Sequence, residues 1–207
     1  MVTEIQLVGI IGAGQMGVGI AQVFATAGFR VFIHDKNKTT LANAMGTLDK
    51  TLHRTVAKGK LKAEKVLHVL NNIKCKSHIS ELGECDLIIE AATEDEQIKH
   101  DIFQELRPHL KSETILTSNT SSISITRLAA RTDRPDKFMG CHFMKPAPIM
   151  QLVELVRGIA TSLETTEILK ELVKKIGKTS TNSEDFPAFT VNRILMPMIN
   201  EGIYALY

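Results

Sequence analysis

The glycine-dense run GIIGAGQMGVGIA (Gly9 to Ala21) narrows the choice of fold more than any other stretch of this 207-residue chain. It overlaps the apolar segment IQLVGII (Ile5 to Ile11) and sets Gly12, Gly14 and Gly17 at G-x-G-x-x-G spacing. In a strand–turn–helix unit that binds a dinucleotide, the first glycine permits a tight turn and the second lets backbone approach the pyrophosphate. The third lets helix and strand pack closely. The helix N-terminus then holds phosphates through its free N–H groups and its dipole. The run is apolar enough to suggest a signal peptide or a membrane span, but four glycines from Gly9 to Gly17, with another at Gly19, argue for strand, turn and helix.

A second strand, RVFIHD, ends in Asp35, where an acid accepts hydrogen bonds from the adenosine ribose hydroxyls. A carboxylate there repels a ribose phosphate, so NAD is expected rather than NADP. Asp35 also fits a helix N-cap before KNKTT, and the two roles can coexist. Further apolar runs, CDLIIEAA, TILTSN and FMGCHF, alternate with helical patterns, which predicts an α/β, Rossmann-type doubly wound and mostly parallel sheet. The clearest helix carries Leu41, Met45, Leu48, Leu52 and Val56 on one face; others are expected over Gln97–Leu110, Ile123–Ala130 and Thr165–Ile176. MQLVELV alternates and is joined to FMGCHF by a loop too short for a helical crossover, so it should pair antiparallel. KTSTNSEDFP follows without an assigned element, and then AFTVNRILMPMINEGIYALY reads as helical despite Pro197.

Composition excludes several classes. A net charge of +2 and 5% aromatic residues predict neither nucleic-acid nor membrane partners. Three cysteines (Cys75, Cys85, Cys141) at no metal-ligand spacing exclude a disulfide framework and a zinc site, and favour a reducing, cytoplasmic setting. One local basic stretch, Lys50, Arg54, Lys58, Lys60, Lys62 and Lys65, fits either the phosphates of a nucleotide-tailed substrate or a solvated helix face.

Ligands of an open parallel sheet sit beyond the carboxyl ends of its strands. Those ends here read EAATED, with Glu94 and then Lys99; TSNTSSIS, with Ser118, Asn119, Thr120, Ser121 and Ser122; and HFMKP. The hydroxyl cluster also suits capping of the helix that follows. On an alternating strand Leu152, Glu154 and Val156 share one face, which points Glu154 inward, and His142 across the loop is its candidate partner.

Taken in order, GAGQMGVGIAQV, DLIIEAATEDEQIK, SNTSSISI, RPDKFMGCHF, PIMQLVELVRG and NRILMPMINE resemble the L-3-hydroxyacyl-CoA dehydrogenases, with bacterial 3-hydroxybutyryl-CoA dehydrogenases the nearest group. The resemblance implies NAD as cofactor and oxidation of the 3-hydroxyl of an acyl-CoA, or its reverse. It assigns His142 as general base, Glu154 as the carboxylate that orients it, and Ser121 and Asn192 as polar groups on the reacting oxygen. Gly12, Gly14, Gln15, Met16, Gly17, Asp35, Glu94, Lys99, Asn119 and Ser121 are implied at the cofactor. Thr51, Lys58, Ser121 and Lys145 are implied at the substrate. A histidine's ordinary pKa of ~6.5 suits proton transfer near neutral pH.

The chain departs from the family pattern at HFMKP, where HFFNP is usual, so Met144 and Lys145 replace an aromatic and an asparagine. Ala188 stands where glycine is usual. The resemblance further implies two units, an NAD-binding domain (1–186) and the first helix of a truncated all-helical domain (187–207). Its apolar stripe of Ile194, Leu195, Met198, Ile199 and Ile203 is expected to drive self-association or to meet a chain that supplies the missing helices. An alternative function stays open, a remnant or interaction module of the same family that binds NAD without turnover. So does a dehydrogenase of a hydroxy acid without CoA, which the basic stretch disfavours.

Overall fold

The structure, a computed structural model, describes residues 4–59 and 61–207; Lys60 of the basic stretch lies outside them. Strand β1 (Leu7–Ile11) leads through the glycine turn into α1 (Gln15–Thr26), then β2 (Arg30–His34), α2 (Lys38–Ala57), α3 (Glu64–Asn71) and β3 (Ile73–Lys76). The second half runs β4 (Leu87–Glu90), α4 (Glu96–Leu106), β5 (Ile115–Ser118), α5 (Ile125–Ala129), β6 (Phe138–Phe143), β7 (Leu152–Arg157), α6 (Leu163–Lys175), β8 (Thr179–Glu184) and α7 (Val191–Tyr204). The strands form one sheet in the order β3-β2-β1-β4-β5-β6-β7-β8, and every neighbouring pair is parallel except the antiparallel β6 and β7. Strand order reverses between β1 and β4, so the glycine turn opens at the switch point where such sheets bind ligands.

Both faces of the central strands are covered, which is why they read as unbroken apolar runs. Val8, Ile10, Leu87 and Ile89 pack with α1, α2 and α6 on one face. Leu7, Ile11, Ile88 and Leu116 pack with α4 and α5 on the other. The stripe expected on α2 holds, with Leu41, Ala44, Leu48 and Leu52 buried and Met45 and Val56 partly so.

Three elements escaped the sequence reading. The two edge strands, β3 (IKCK) and β8 (TSTNSE), are largely polar and partly exposed. An edge strand has one open flank and needs no continuous apolar run; charged and polar residues there blunt unwanted pairing. KTSTNSEDFP thus contains a six-residue strand parallel to β7. Helix α3 is short, with only Val66 and Val69 buried, too few positions to announce a period. The helix expected over Gln97–Leu110 stops at Leu106, and Pro108 falls in a 3-10 turn, Arg107–His109. The N-cap of α2 is Asn37, whose side chain accepts from Thr39 and Thr40 N–H, so Asp35 is not that cap.

Helix α7 continues through Pro197 and buries none of its residues; Ile194, Met198, Ile199 and Ile203 are exposed and Leu195 is half-buried. No helix among the described residues is long and apolar enough to cross a membrane. The connector from β8 to α7 is held tightly: Asp185 accepts from Ser124 Oγ and from the Ile125 and Thr126 N–H groups, and Phe189 is buried. To make this bend Ala188 takes φ 67° and Phe189 φ 51°, in the left-handed region that side chains with a Cβ avoid. Glycine at 188 relieves roughly 1–2 kcal/mol of strain against roughly 0.4–1 kcal/mol of unfolded-chain entropy. Ala188→Gly is therefore expected to raise stability by ~0.5–1 kcal/mol, read as a melting temperature about 1–4 °C higher; an unchanged or lower value counts against a strained connector.

Candidate active site

The glycine turn has the shape its spacing predicts. Gly12 has φ 102° and its N–H donates to His34 O at 2.8 Å; a Cβ there would collide with Ala91 O. A Cβ on Gly17 would strike the carbonyl of Gly12, so only glycine lets α1 begin this close to β1. Around Gly14 a Cβ would meet no atom within 4 Å, leaving room for a ligand against the backbone. Asp35, at the end of β2, accepts from Ala13 N at 2.7 Å through one oxygen and from Asn37 N at 2.7 Å through the other. A carboxylate has about four lone-pair positions, so both oxygens keep capacity for ribose hydroxyls. Gln15 is exposed and Met16 half-buried at the same turn.

At the far side of the sheet the antiparallel register sets His142 directly opposite Glu154. Opposed residues project from the same face, and His142 Nδ1 lies 3.1 Å from Glu154 Oε2. His142 is 8% exposed and Glu154 1%. The other oxygen of Glu154 accepts from Thr190 N at 2.7 Å and Val191 N at 2.9 Å, so this carboxylate also anchors the start of α7. Burial alone would raise its pKa; the hydrogen bond from His142 and those two N–H groups hold it below the ordinary carboxylate value. Phe189 stands edge-on to the imidazole, ring centroids 6.4 Å apart.

Between these regions lie the ends of β4 and β5. Glu94 Oε1 accepts from Thr120 Oγ1 at 2.6 Å, from Ser121 N at 2.9 Å and from the Ser121 and Ser122 hydroxyls at 3.3 Å. Burial pushes its pKa up, but these bonds and the Lys99 ammonium bring it below the ordinary range. The carbonyl of Ser121 accepts from Asn192 Nδ2 at 3.3 Å, which brings α7 onto the serine loop. Asn119 Oδ1 accepts from Phe143 N at 2.8 Å, tying the end of β5 to that of β6. Lys99 is wholly buried and reaches Glu94 only at 3.7 Å; its main partner is Glu90.

The structure thus links Glu94 to Ser121 and Ser121 to Asn192, pairs His142 with Glu154 at the start of the same helix, and ties Asn119 to the residue after His142, with Asp35 and the glycine turn further along the same edge of the sheet. A cavity of about 950 Å³ runs along α1 and α2, lined by Gly14, Gln15, Met16, Thr51 and Lys58. Arg54 and Lys178 join Lys58 in the lining and, among the described residues, no acidic one does. It lies on the α1–α2–α6 side, whereas His142 and Glu154 face the α4–α5 side with Val156 and Phe189. Lys145 is exposed after β6, outside that lining. Glu90, Asp185, Phe189 and Lys178 hold places here that no sequence pattern above predicts. Of these, Glu90 had a visible signal, an acid closing an otherwise apolar strand.

The family model described as 3-hydroxyacyl-CoA dehydrogenase, NAD binding domain, matches residues 7–186. The chain belongs to this family. Among individual relatives, a 3-hydroxybutyryl-CoA dehydrogenase of Bradyrhizobium diazoefficiens is 54% identical over 207 residues, spanning 100% of this chain and 71% of that protein. The crystal structure of (S)-3-hydroxybutyryl-CoA dehydrogenase from Ralstonia eutropha superposes with a TM-score of 0.93 at 42% identity, over 96% of this chain and 70% of that one. A 3-hydroxybutyryl-CoA dehydrogenase structure from Escherichia coli gives a TM-score of 0.94 at 40% identity, over 99% of this chain and 43% of that one. NAD is the cofactor of this dehydrogenase domain, and the turn, the open ground at Gly14 and the spare acceptors of Asp35 fit it.

The depressed pKa of Glu154 sets a pH dependence with a definite sign. Its stabilisation is fully present above the unfolded-chain value of about 4.3 and is lost as the pH falls through the lower folded value. The stability difference between the wild type and Glu154→Gln should therefore be largest above pH ~5 and shrink on acidification, as measured by urea denaturation at a series of pH values. A difference that stays constant down to pH ~3 would show that the carboxylate contributes nothing as a charge.

Proposed function

We propose that this chain interconverts 3-hydroxybutyryl-CoA and acetoacetyl-CoA with NAD, as an L-3-hydroxyacyl-CoA dehydrogenase. The observation that carries the reading is the buried His142–Glu154 pair at the same edge of the sheet as the cofactor turn, with the ends of β4 and β5 between them. Bound NAD supplies the hydride acceptor for the substrate's third carbon. With Glu154 ionised, the imidazole carries its proton on Nδ1, where the carboxylate accepts it, and Nε2 is left to take the substrate's hydroxyl proton. Glu154 then stabilises the imidazolium; in the reverse direction His142 returns the proton to the oxygen. Phe189 and the burial of the pair limit water around that transfer. Ser121 and Asn192 hold the reacting oxygen, with Glu94 fixing the loop that carries Ser121. Thr51 and Lys58, joined by Arg54, take the anionic nucleotide tail of CoA, for which a lining that has three cations and no acid among its described residues is suited.

The division at 186/187 and a reducing, cytoplasmic setting belong to the same reading. So does the role of α7, whose exposed stripe is suited to a second copy of this chain or to helices of another. Native mass measurement of the purified chain is expected to show dimers or larger species at micromolar concentration; a strict monomer defeats self-association.

The direct test titrates NADH and acetoacetyl-CoA separately, then mixes them and follows NADH absorbance. Both are expected to bind and NADH to be consumed, with NADPH far weaker because of Asp35. NADH binding without turnover would instead favour a remnant that holds the cofactor only. His142→Ala should lower turnover roughly 100- to 10,000-fold while NADH binding persists; an unchanged rate removes His142 from the mechanism.

A further inference from the structure

We propose that Gln22 is a binding residue for the amide-bearing arm of a CoA thioester, which it meets from the wall of the cavity beside α1 and α2. The inference rests on the acyl-CoA reading above.

Gln22 interrupts the apolar run VGIAQVFA within α1. It lines the cavity at 5% exposure, and among the described lining residues it is the one polar side chain more than nine-tenths buried. Its amide forms no hydrogen bond with any described residue. Yet it is not sealed off as the unpaired His100 ring and Arg157 Nε are, so its polar end opens onto the cavity. Burying an amide without a fixed partner is unfavourable, and here the partner has to come from whatever enters the cavity.

The surroundings define that occupant. Gly19, one turn earlier on α1, lies so close to the loop after β6 that a Cβ there would stand 3.2 Å from Pro148 Cδ and 3.4 Å from Ala147 Cβ. Val18, Val23 and Ile176 add apolar wall. Lys178 Nζ donates to Met150 O at 2.7 Å in the same loop, and burial lowers its pKa, the condition of an ammonium that gains from an anion. The occupant therefore combines anionic groups, apolar stretches and a neutral group that both donates and accepts. A phosphate can use only the NH2 group of a glutamine, whereas an amide pairs with both ends, N–H to Oε1 and C=O from Nε2. The pantetheine arm of CoA carries two amides between methylene groups, with phosphates at one end. NAD has its one amide on the nicotinamide ring, and Gln22 lies about two turns along α1 from the glycine turn that takes the dinucleotide phosphates.

Gln22→Met keeps the length and bulk of the side chain and removes both polar atoms. A glutamine kept for structure makes this variant less stable and weakens every ligand with it. A glutamine kept for a ligand leaves a protein at least as stable that holds CoA less well. Calorimetric titrations with CoA, with 3′-phosphoadenosine 5′-diphosphate, which has the same phosphates and no arm, and with NADH read the difference, alongside the melting temperature. Gln22→Met should raise the CoA Kd about ten-fold and lower the ratio of CoA affinity to armless-nucleotide affinity by about the same factor. Its NADH Kd should stay within about three-fold and its melting temperature no more than about 1 °C below the wild type. If Gln22→Met does not fold, Gln22→Asn carries the test: the amide remains but is drawn back by one methylene, and the same ratio should fall about three-fold or more. The proposal is overturned if that ratio is unchanged in the variant measured, or if affinities for CoA, the armless nucleotide and NADH all fall together with the melting temperature. A wild type that does not bind CoA overturns the acyl-CoA reading itself, and this inference with it.

Discussion

The site depends first on one buried carboxylate with two tasks. Glu154 can sit at 1% exposure only because both oxygens are satisfied, one by the imidazole of His142 and the other by the N–H groups of Thr190 and Val191. An unpaired buried carboxylate would take up a proton, and its grip on the histidine tautomer would go with it. The same residue that pairs with His142 therefore fixes where α7 begins, and through Asn192 where α7 meets the serine loop. The proposed proton chemistry and the path of the chain share a single anchor.

The pattern recurs along the carboxyl edge of the sheet. Asp35 holds the glycine turn through Ala13 N, Glu94 holds the serine loop through Ser121 N, and Asp185 holds the start of α5 through Ile125 and Thr126 N. In each case a side-chain oxygen satisfies backbone donors that no strand partner reaches, which stiffens a loop without adding apolar bulk where a ligand must fit. Glu90 extends this into the interior, where the donor is an ammonium and the compensation is charge for charge. Loops fixed in this way keep their polar groups in place, and the cavity beside α1 and α2 stays open.

Much of this was legible in one dimension. Strands covered on both faces must be apolar throughout, so β1, β2, β4, β5 and β6 announced themselves, and the glycine spacing named the turn. The antiparallel return of β7 followed from a loop too short for any other connection. The edge strands β3 and β8 were illegible for the complementary reason, since a strand with an open flank can be polar. Asp35 directly follows β2, and the N-cap it also suited is taken by Asn37, two residues later, which satisfies the helix instead.

The sequence by itself determined the architecture and the kinds of chemistry available, since periodicity and glycine spacing are local and survive without knowledge of distant contacts. It also pointed Glu154 inward through strand alternation and offered His142 as its candidate partner, while the register that sets them opposite came with the fold. Only the tertiary structure decided how the acids divide the work. Glu90 and Glu94 stand four positions apart in EAATE, yet one is sealed and the other open, because Lys99 on the next helix and Ser118 on the next strand close over the first. The strained bend at Ala188 and the landing of α7 on Glu154 are likewise set by contacts between residues far apart in the chain. Burial and partner geometry, which decide where a charge can rest, exist only once those distant segments meet.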